Sequence, residues 1–100
     1  MSKGPEAKVK DKIKEVLKGA GAYYCMPAAG PYGQQGVPDI LGCYRGVFFA
    51  VEAKAPGKKY NVTANQQNHL DRINEAGGWG IVADCDEDAI QMLKEIDDAR

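Results

Sequence analysis

Asp39, Glu52 and Lys54 are the residues whose types and spacing could do chemistry. Asp39 follows Pro38 and opens the apolar stretch Ile40-Leu41, and Glu52 and Lys54 close the run Val47-Phe48-Phe49-Ala50-Val51. Two carboxylates and an ammonium set among Val, Ile, Leu and Phe are costly to bury unless they bind something. The simplest compensating partner is a divalent cation. The simplest chemistry for such a set is metal-assisted cleavage of a phosphodiester.

The elements that must position these groups are two short strands. Residues 39–44 and 47–54 are short apolar runs that read as strands, and Arg45-Gly46 between them suits a tight turn, so an antiparallel hairpin is the expected pairing. Side chains alternate along a strand, so Phe48, Ala50, Glu52 and Lys54 share one face, with Glu52 and Lys54 about 7 Å apart along it. A turn at Arg45-Gly46 also sets residue 39 opposite residue 52, which brings the two carboxylates together independently of any motif. Two carboxylates, with a backbone carbonyl, suit Mg²⁺ or Mn²⁺, which prefer hard oxygen ligands. Lys54 can then position or activate water, or stabilise charge that develops on a phosphoryl oxygen. A bare Glu-x-Lys at a strand end would otherwise read as an exposed ion pair.

The rest of the chain supplies a frame for that hairpin. Val9, Ile13, Val16 and Leu17 recur at helical spacing over residues 6–18, with Pro5 suited to the first turn and Gly19 and Gly21 ending the helix. Residues 22–26 read as a first strand and 27–36 as a loop. Residues 55–62 form a Pro/Gly/Lys loop. Thr63 caps a helix that runs to residue 75, and Gly77-Gly78 stop it. Residues 79–83 read as a fourth strand and 86–98 as a last helix, acidic at its start as the macrodipole prefers. The order is α-β-β-β-α-β-α: an α/β fold with a mixed four-stranded sheet flanked by helices, in a single domain over residues 1–100. The third strand, the helix after it and the fourth strand form a βαβ unit with parallel strands.

Charge qualifies any nucleic-acid reading. The chain holds 13 Lys and Arg against 14 Asp and Glu, a net charge of −1, whereas nucleic-acid binders are often basic. The distribution matters more than the sum. Lys3, Lys8, Lys10, Lys12, Lys14 and Lys18 crowd the first fifth, while Asp84, Asp86, Glu87, Asp88, Glu95, Asp97 and Asp98 gather near the end. Such a chain can bind phosphate locally while staying acidic in total. No apolar run is long enough to span a bilayer. Cys25, Cys43 and Cys85 lack metal-ligand spacing and read as reduced, mostly buried thiols of a cytoplasmic protein.

Gly36-Val37-Pro38-Asp39, then Val51-Glu52-Ala53-Lys54-Ala55-Pro56-Gly57-Lys58, then Thr63-x-x-Gln66-x-x-x-Leu70 resembles the VRR-NUC domain of the PD-(D/E)XK nuclease superfamily, over residues 6–88. It is most similar to the stand-alone members carried by phages and prophages. The resemblance implies a restriction-endonuclease-like core and a Mg²⁺- or Mn²⁺-dependent deoxyribonuclease. Asp39 and Glu52 match the metal-binding acids, Ala53 would offer its backbone carbonyl, and Lys54 matches the catalytic lysine. Gln66 matches a glutamine on the helix after the hairpin, and Glu6 a glutamate near the start of the first helix. The substrate implied is branched DNA, cut by a homodimer that resolves Holliday junctions, with flap or nick cleavage as the alternative. The cell compartment implied is the cytoplasm of a bacterial host.

Glu15 competes with Glu6 for the last role. The two lie about 180° apart on an ideal helix, and Glu6 shares the side of Val9 and Ile13. Thr63-x-x-Gln66 is also a capping box, and a cap and a site role are not readily served by one glutamine. Lys58 and Lys59 follow the motif in a loop where they could grip phosphates. Tyr32, Gln34 and Gln35 precede Gly-Val-Pro-Asp and could touch substrate. His69, the single histidine, reads as a surface or boundary residue, and Trp79 as core. The run from Asp84 to Asp88 lacks an EF-hand pattern and reads as a helix start. Two other classes stay open: a nucleic-acid-binding module without turnover, and an interaction protein that uses its acidic last helix.

Overall fold

The computed structural model describes residues 3–28 and 35–100. Helix α1 (Pro5–Gly19) starts with proline in its first turn and buries Val9, Ile13 and Leu17, one stripe at i, i+4, i+8. It ends where the N–H groups of Gly21 and Ala22 return to the carbonyls of Lys18 and Leu17, the bond pair of a Schellman motif. Strands β1 (Tyr23–Cys25), β2 (Ile40–Tyr44) and β3 (Val47–Ala53) follow. A 3₁₀ turn (Lys59–Asn61) then lies within the segment read as loop. Helix α2 (Ala64–Glu75), strand β4 (Trp79–Ala83) and helix α3 (Asp86–Asp98) complete the expected order.

The sheet runs β1-β2-β3-β4, antiparallel except for the parallel pair β3 and β4. Arg45 and Gly46 both adopt left-handed φ, 51° and 82°, as a two-residue type I′ hairpin requires. Arg45 is held there by a hydrogen bond from its Nε to Tyr44 Oη at 3.1 Å and by an ion pair with Asp97 Oδ1 at 3.0 Å. The resulting register pairs Ile40 with Val51 and Tyr44 with Val47, so Asp39 falls beside Glu52 as the turn position predicts.

The alternation of β3 divides the molecule. Phe49, Val51 and Ala53 join Ile40, Ala83, α1 and α3 in the main core, with Ile13, Leu17, Met92 and Ile96 buried against them. Trp79 is half-buried and packs against this cluster. The opposite face carries Phe48, Ala50, Glu52 and Lys54 and is covered by α2. The helix comes close because Gly80 has no side chain: a Cβ there would meet Leu70 Cα at 3.2 Å and its carbonyl oxygen at 3.0 Å. Asn74 also clasps the Gly80 backbone, accepting from its N–H at 2.8 Å and donating to its carbonyl at 3.1 Å.

Helix α2 shields only the β3–β4 half of this second face. Cys25 and Cys43 on β1 and β2 are therefore exposed and Cys85 half-buried, which corrects the expectation of mostly buried cysteines. Tyr23 on β1 is exposed for the same reason, and Phe48, at the start of β3, is exposed as well. Tyr32 and Gln34 lie outside the described residues.

Candidate active site

The site lies where β3 leaves the sheet. Glu52 and Lys54 are the buried charged residues of the described structure, 4% and 9% exposed, and both point to the face that α2 covers. Asp39 stands just before β2 and is fixed by the neighbouring strand, its Oδ2 accepting the Ala53 N–H at 2.9 Å. Within a strand a residue's N–H and C=O project to the same edge, so the Ala53 carbonyl also faces the Asp39 side.

Burial first, and then the adjacent Asp39 charge, push the Glu52 carboxyl up to about 7, with a hydrogen bond to Asp39 and the Glu6 charge adding to the rise and Lys54 opposing it. This crowding of negative charge suits a divalent cation. Mg²⁺ or Mn²⁺ fits the hard oxygen donors of Asp39, Glu52 and the Ala53 carbonyl.

Lys54 is oriented from two sides. Its Nζ lies 3.7 Å from Glu52 Oε2 and donates to Gln66 Oε1 at 3.0 Å. That same amide oxygen accepts the Thr63 N–H at 2.9 Å, while Thr63 Oγ1 accepts the Gln66 N–H at 3.1 Å. The capping box and the contact with Lys54 coexist, contrary to the expectation that one glutamine could not readily serve both. The reason is that an amide oxygen has two lone pairs.

Glu6 stands at the N-terminal end of α1, half exposed, with its carboxylate 3.9 Å from Lys10 Nζ. Lys10 Nζ is in turn 3.5 Å from Asp39 Oδ1. Lys10 thus joins α1 to the hairpin, a role that sequence reasoning missed. Its i, i+4 spacing from Glu6 signals only the pair within α1, not the contact with Asp39. Glu15 lies elsewhere on α1, beside Asp11, Lys14, Lys18 and Tyr24.

Lys58 and Lys59 differ. Lys58 is exposed and donates to Tyr60 Oη at 3.1 Å. Lys59 lies 2.9 Å from Asp88 Oδ2 and 3.8 Å from Asp84 Oδ1, and Asp84 Oδ2 accepts the Gly57 N–H at 2.9 Å. The acids at the start of α3 therefore tie down the loop that follows Lys54. Asp84, Cys85 and Asp88 have metal-ligating atoms within 4.8 Å of one another, but the Lys59 ammonium already supplies their positive charge. His69 is half-buried, with Nε2 3.0 Å from the Gln35 carbonyl.

The chain has the fold of a solved VRR_NUC domain, with a TM-score of 0.73, 22% identity, and coverage of 92% of this chain and 97% of that one. No family model matches the sequence, and no curated protein does. The likeness thus defines an α/β fold with a mixed four-stranded sheet flanked by helices. Among the described residues no helix is long and apolar enough to cross a membrane.

Proposed function

We propose that this chain is a divalent-metal-dependent DNA nuclease of the PD-(D/E)XK type, formed by one domain over residues 1–100. The observation that carries the reading is the meeting of Asp39, Glu52 and Lys54 at the end of β3, with both Glu52 and Lys54 buried. The fold shared with a VRR_NUC domain supports it.

In this reading Asp39, Glu52 and the Ala53 carbonyl hold Mg²⁺ or Mn²⁺, assisted by Glu6. A cation held there would lower the pKa of its water and stabilise charge on a phosphoryl oxygen. Lys54, aimed by Gln66, donates a hydrogen bond to the attacking water or to a non-bridging oxygen of the scissile phosphate. Lys58 contacts a flanking phosphate, while Lys59, paired with Asp88 and Asp84, steadies the loop beside it. The substrate is branched DNA. Symmetric cutting of a Holliday junction needs two sites related by a two-fold axis, so the favoured form is a homodimer, with flap or nick cleavage next. The chain works in the cytoplasm of a bacterial host and is of phage or prophage origin.

The test is cleavage of a labelled four-way junction, a flap and a plain duplex, each with Mg²⁺, Mn²⁺ or EDTA. The expected result is metal-dependent cutting, strongest on the junction and reduced about 10²–10³-fold in Lys54→Ala, as for loss of one preorganised donor. A folded wild-type protein that cuts no substrate would leave a binding module as the better account.

A further inference from the structure

We infer that Lys10 is the resident counter-cation of this acidic site and sets its affinity for divalent cations. The inference rests on the metal-dependent reading above. Asp39 Oδ2 already accepts the Ala53 N–H at 2.9 Å, so Oδ1 is the more open of its two oxygens to a cation. The group facing Oδ1 is the Lys10 ammonium, 3.5 Å away.

The same ammonium lies 3.9 Å from Glu6 Oε2. Both distances exceed the 2.7–3.2 Å range of a well-formed N–H···O bond. Lys10 is therefore drawn between two carboxylates by charge and bonded tightly to neither. Lys54 makes the contrast, with a 3.0 Å bond to Gln66. A lysine held by charge alone, on a flexible four-carbon stem and one-quarter exposed, can swing away.

A divalent ion held by Asp39 would meet this ammonium at short range and would have to displace it. Lys10 thus opposes the ion in two ways: it neutralises the carboxylates that attract the ion, and it repels the ion directly. Without an ion, it holds α1 against the hairpin and relieves the repulsion among Glu6, Asp39 and Glu52.

The experiment is titration of DNA-free protein with Mn²⁺, followed by calorimetry and by the Mn²⁺ electron-paramagnetic-resonance signal. The proteins are wild type, Lys10→Met, Lys10→Gln, Lys10→Arg and Asp39→Asn. Lys10→Met and Lys10→Gln are expected to bind Mn²⁺ about tenfold more tightly, the size typical of groups that tune a metal's ligands. Lys10→Arg should stay near wild type. A merely structural lysine would weaken binding when replaced, so a gain is diagnostic.

Asp39-dependent binding in wild type, with affinity unchanged or weaker in both neutral variants, would overturn this inference and leave the nuclease reading standing. No Asp39-dependent Mn²⁺ binding in wild type would overturn both. Unfolding of both neutral variants would make Lys10 a structural residue and overturn the inference as well.

Discussion

Lys54 Nζ and Gln66 Oε1 are 3.0 Å apart, and that oxygen also closes the N-terminal cap of α2. One side chain thus couples the stability of a helix to the aim of the buried lysine. The coupling separates two substitutions. Thr63→Ala removes the hydroxyl cap and leaves Gln66 free to reach Lys54, so it should cost about 1 kcal/mol of stability with cleavage nearly unchanged. Gln66→Ala removes both hydrogen bonds and should lower stability by a similar amount and cleavage by tenfold or more. Urea unfolding alongside single-turnover cleavage reads both effects. Equal losses of activity in the two variants would dissociate Gln66 from Lys54.

Glu52 makes stability depend on pH in a definite direction. Its carboxyl is raised from 4.5 to about 7 by burial and then by Asp39. Between those values the folded protein holds a proton that the unfolded chain has released, so stability falls as pH rises. The contribution is fully present below about pH 4.5 and lost above about pH 7, a change of about 3 kcal/mol from a shift of this size. Denaturant unfolding in EDTA across this window should show wild type losing stability relative to Glu52→Gln, which cannot ionise. Mg²⁺ should restore more of the loss at high pH, because the cation and the proton compete for the same oxygens. A difference between wild type and variant that does not change with pH would refute this account.

Much of the site is legible in the sequence, and the physical reason is local. A two-residue turn at Arg45-Gly46 and the period of two along the strands are enough to set residue 39 beside residue 52 and to put Glu52 and Lys54 on one face. What the sequence hides depends on how elements approach one another. Lys10 meets Asp39 because α1 passes the start of β2, and no spacing within α1 reports that. The exposure of Cys25 and Cys43 depends on how far α2 extends across the sheet. The ion pairs of Lys59 join a loop to residues some 25 positions later.

The close seating of α2 on β4 should be sensitive to a single methyl group. A Cβ at residue 80 would meet backbone atoms of Leu70, 3.0 Å from its carbonyl oxygen and 3.2 Å from its Cα. Backbone cannot rotate aside, so Gly80→Ala must lift the helix. Overpacking of this kind costs about 1–3 kcal/mol. The lift also carries Gln66 away from Lys54, so cleavage should fall with stability, whereas Gly46→Ala in the open hairpin turn should lower stability and spare the site. Thermal unfolding and cleavage of the two variants test the contrast. Full activity in Gly80→Ala would show that the helix position is not needed to aim the lysine.

Lys58 and Lys59 should part company in DNA binding. Lys58 is exposed, with no carboxylate partner among the described residues, and it rests on Tyr60. Lys59 is committed to Asp88 and Asp84, and the Asp88 bond raises its pKa despite partial burial. A cation that no longer neutralises its phosphate lowers the slope of log affinity against log salt by about 0.9 for duplex DNA. Lys58→Ala should therefore weaken binding and lower that slope by this amount. Lys59→Ala should leave the slope close to wild type and lower stability by less than about 1 kcal/mol, because the pair is half exposed and screened. Asp88→Asn is the complement: it frees the Lys59 ammonium and should tighten DNA binding at low salt. Fluorescence anisotropy of a labelled duplex in EDTA, across roughly 50 to 200 mM salt, reads all three. An equal drop in slope for Lys58→Ala and Lys59→Ala would mean that Lys59 leaves its acids for the phosphate backbone.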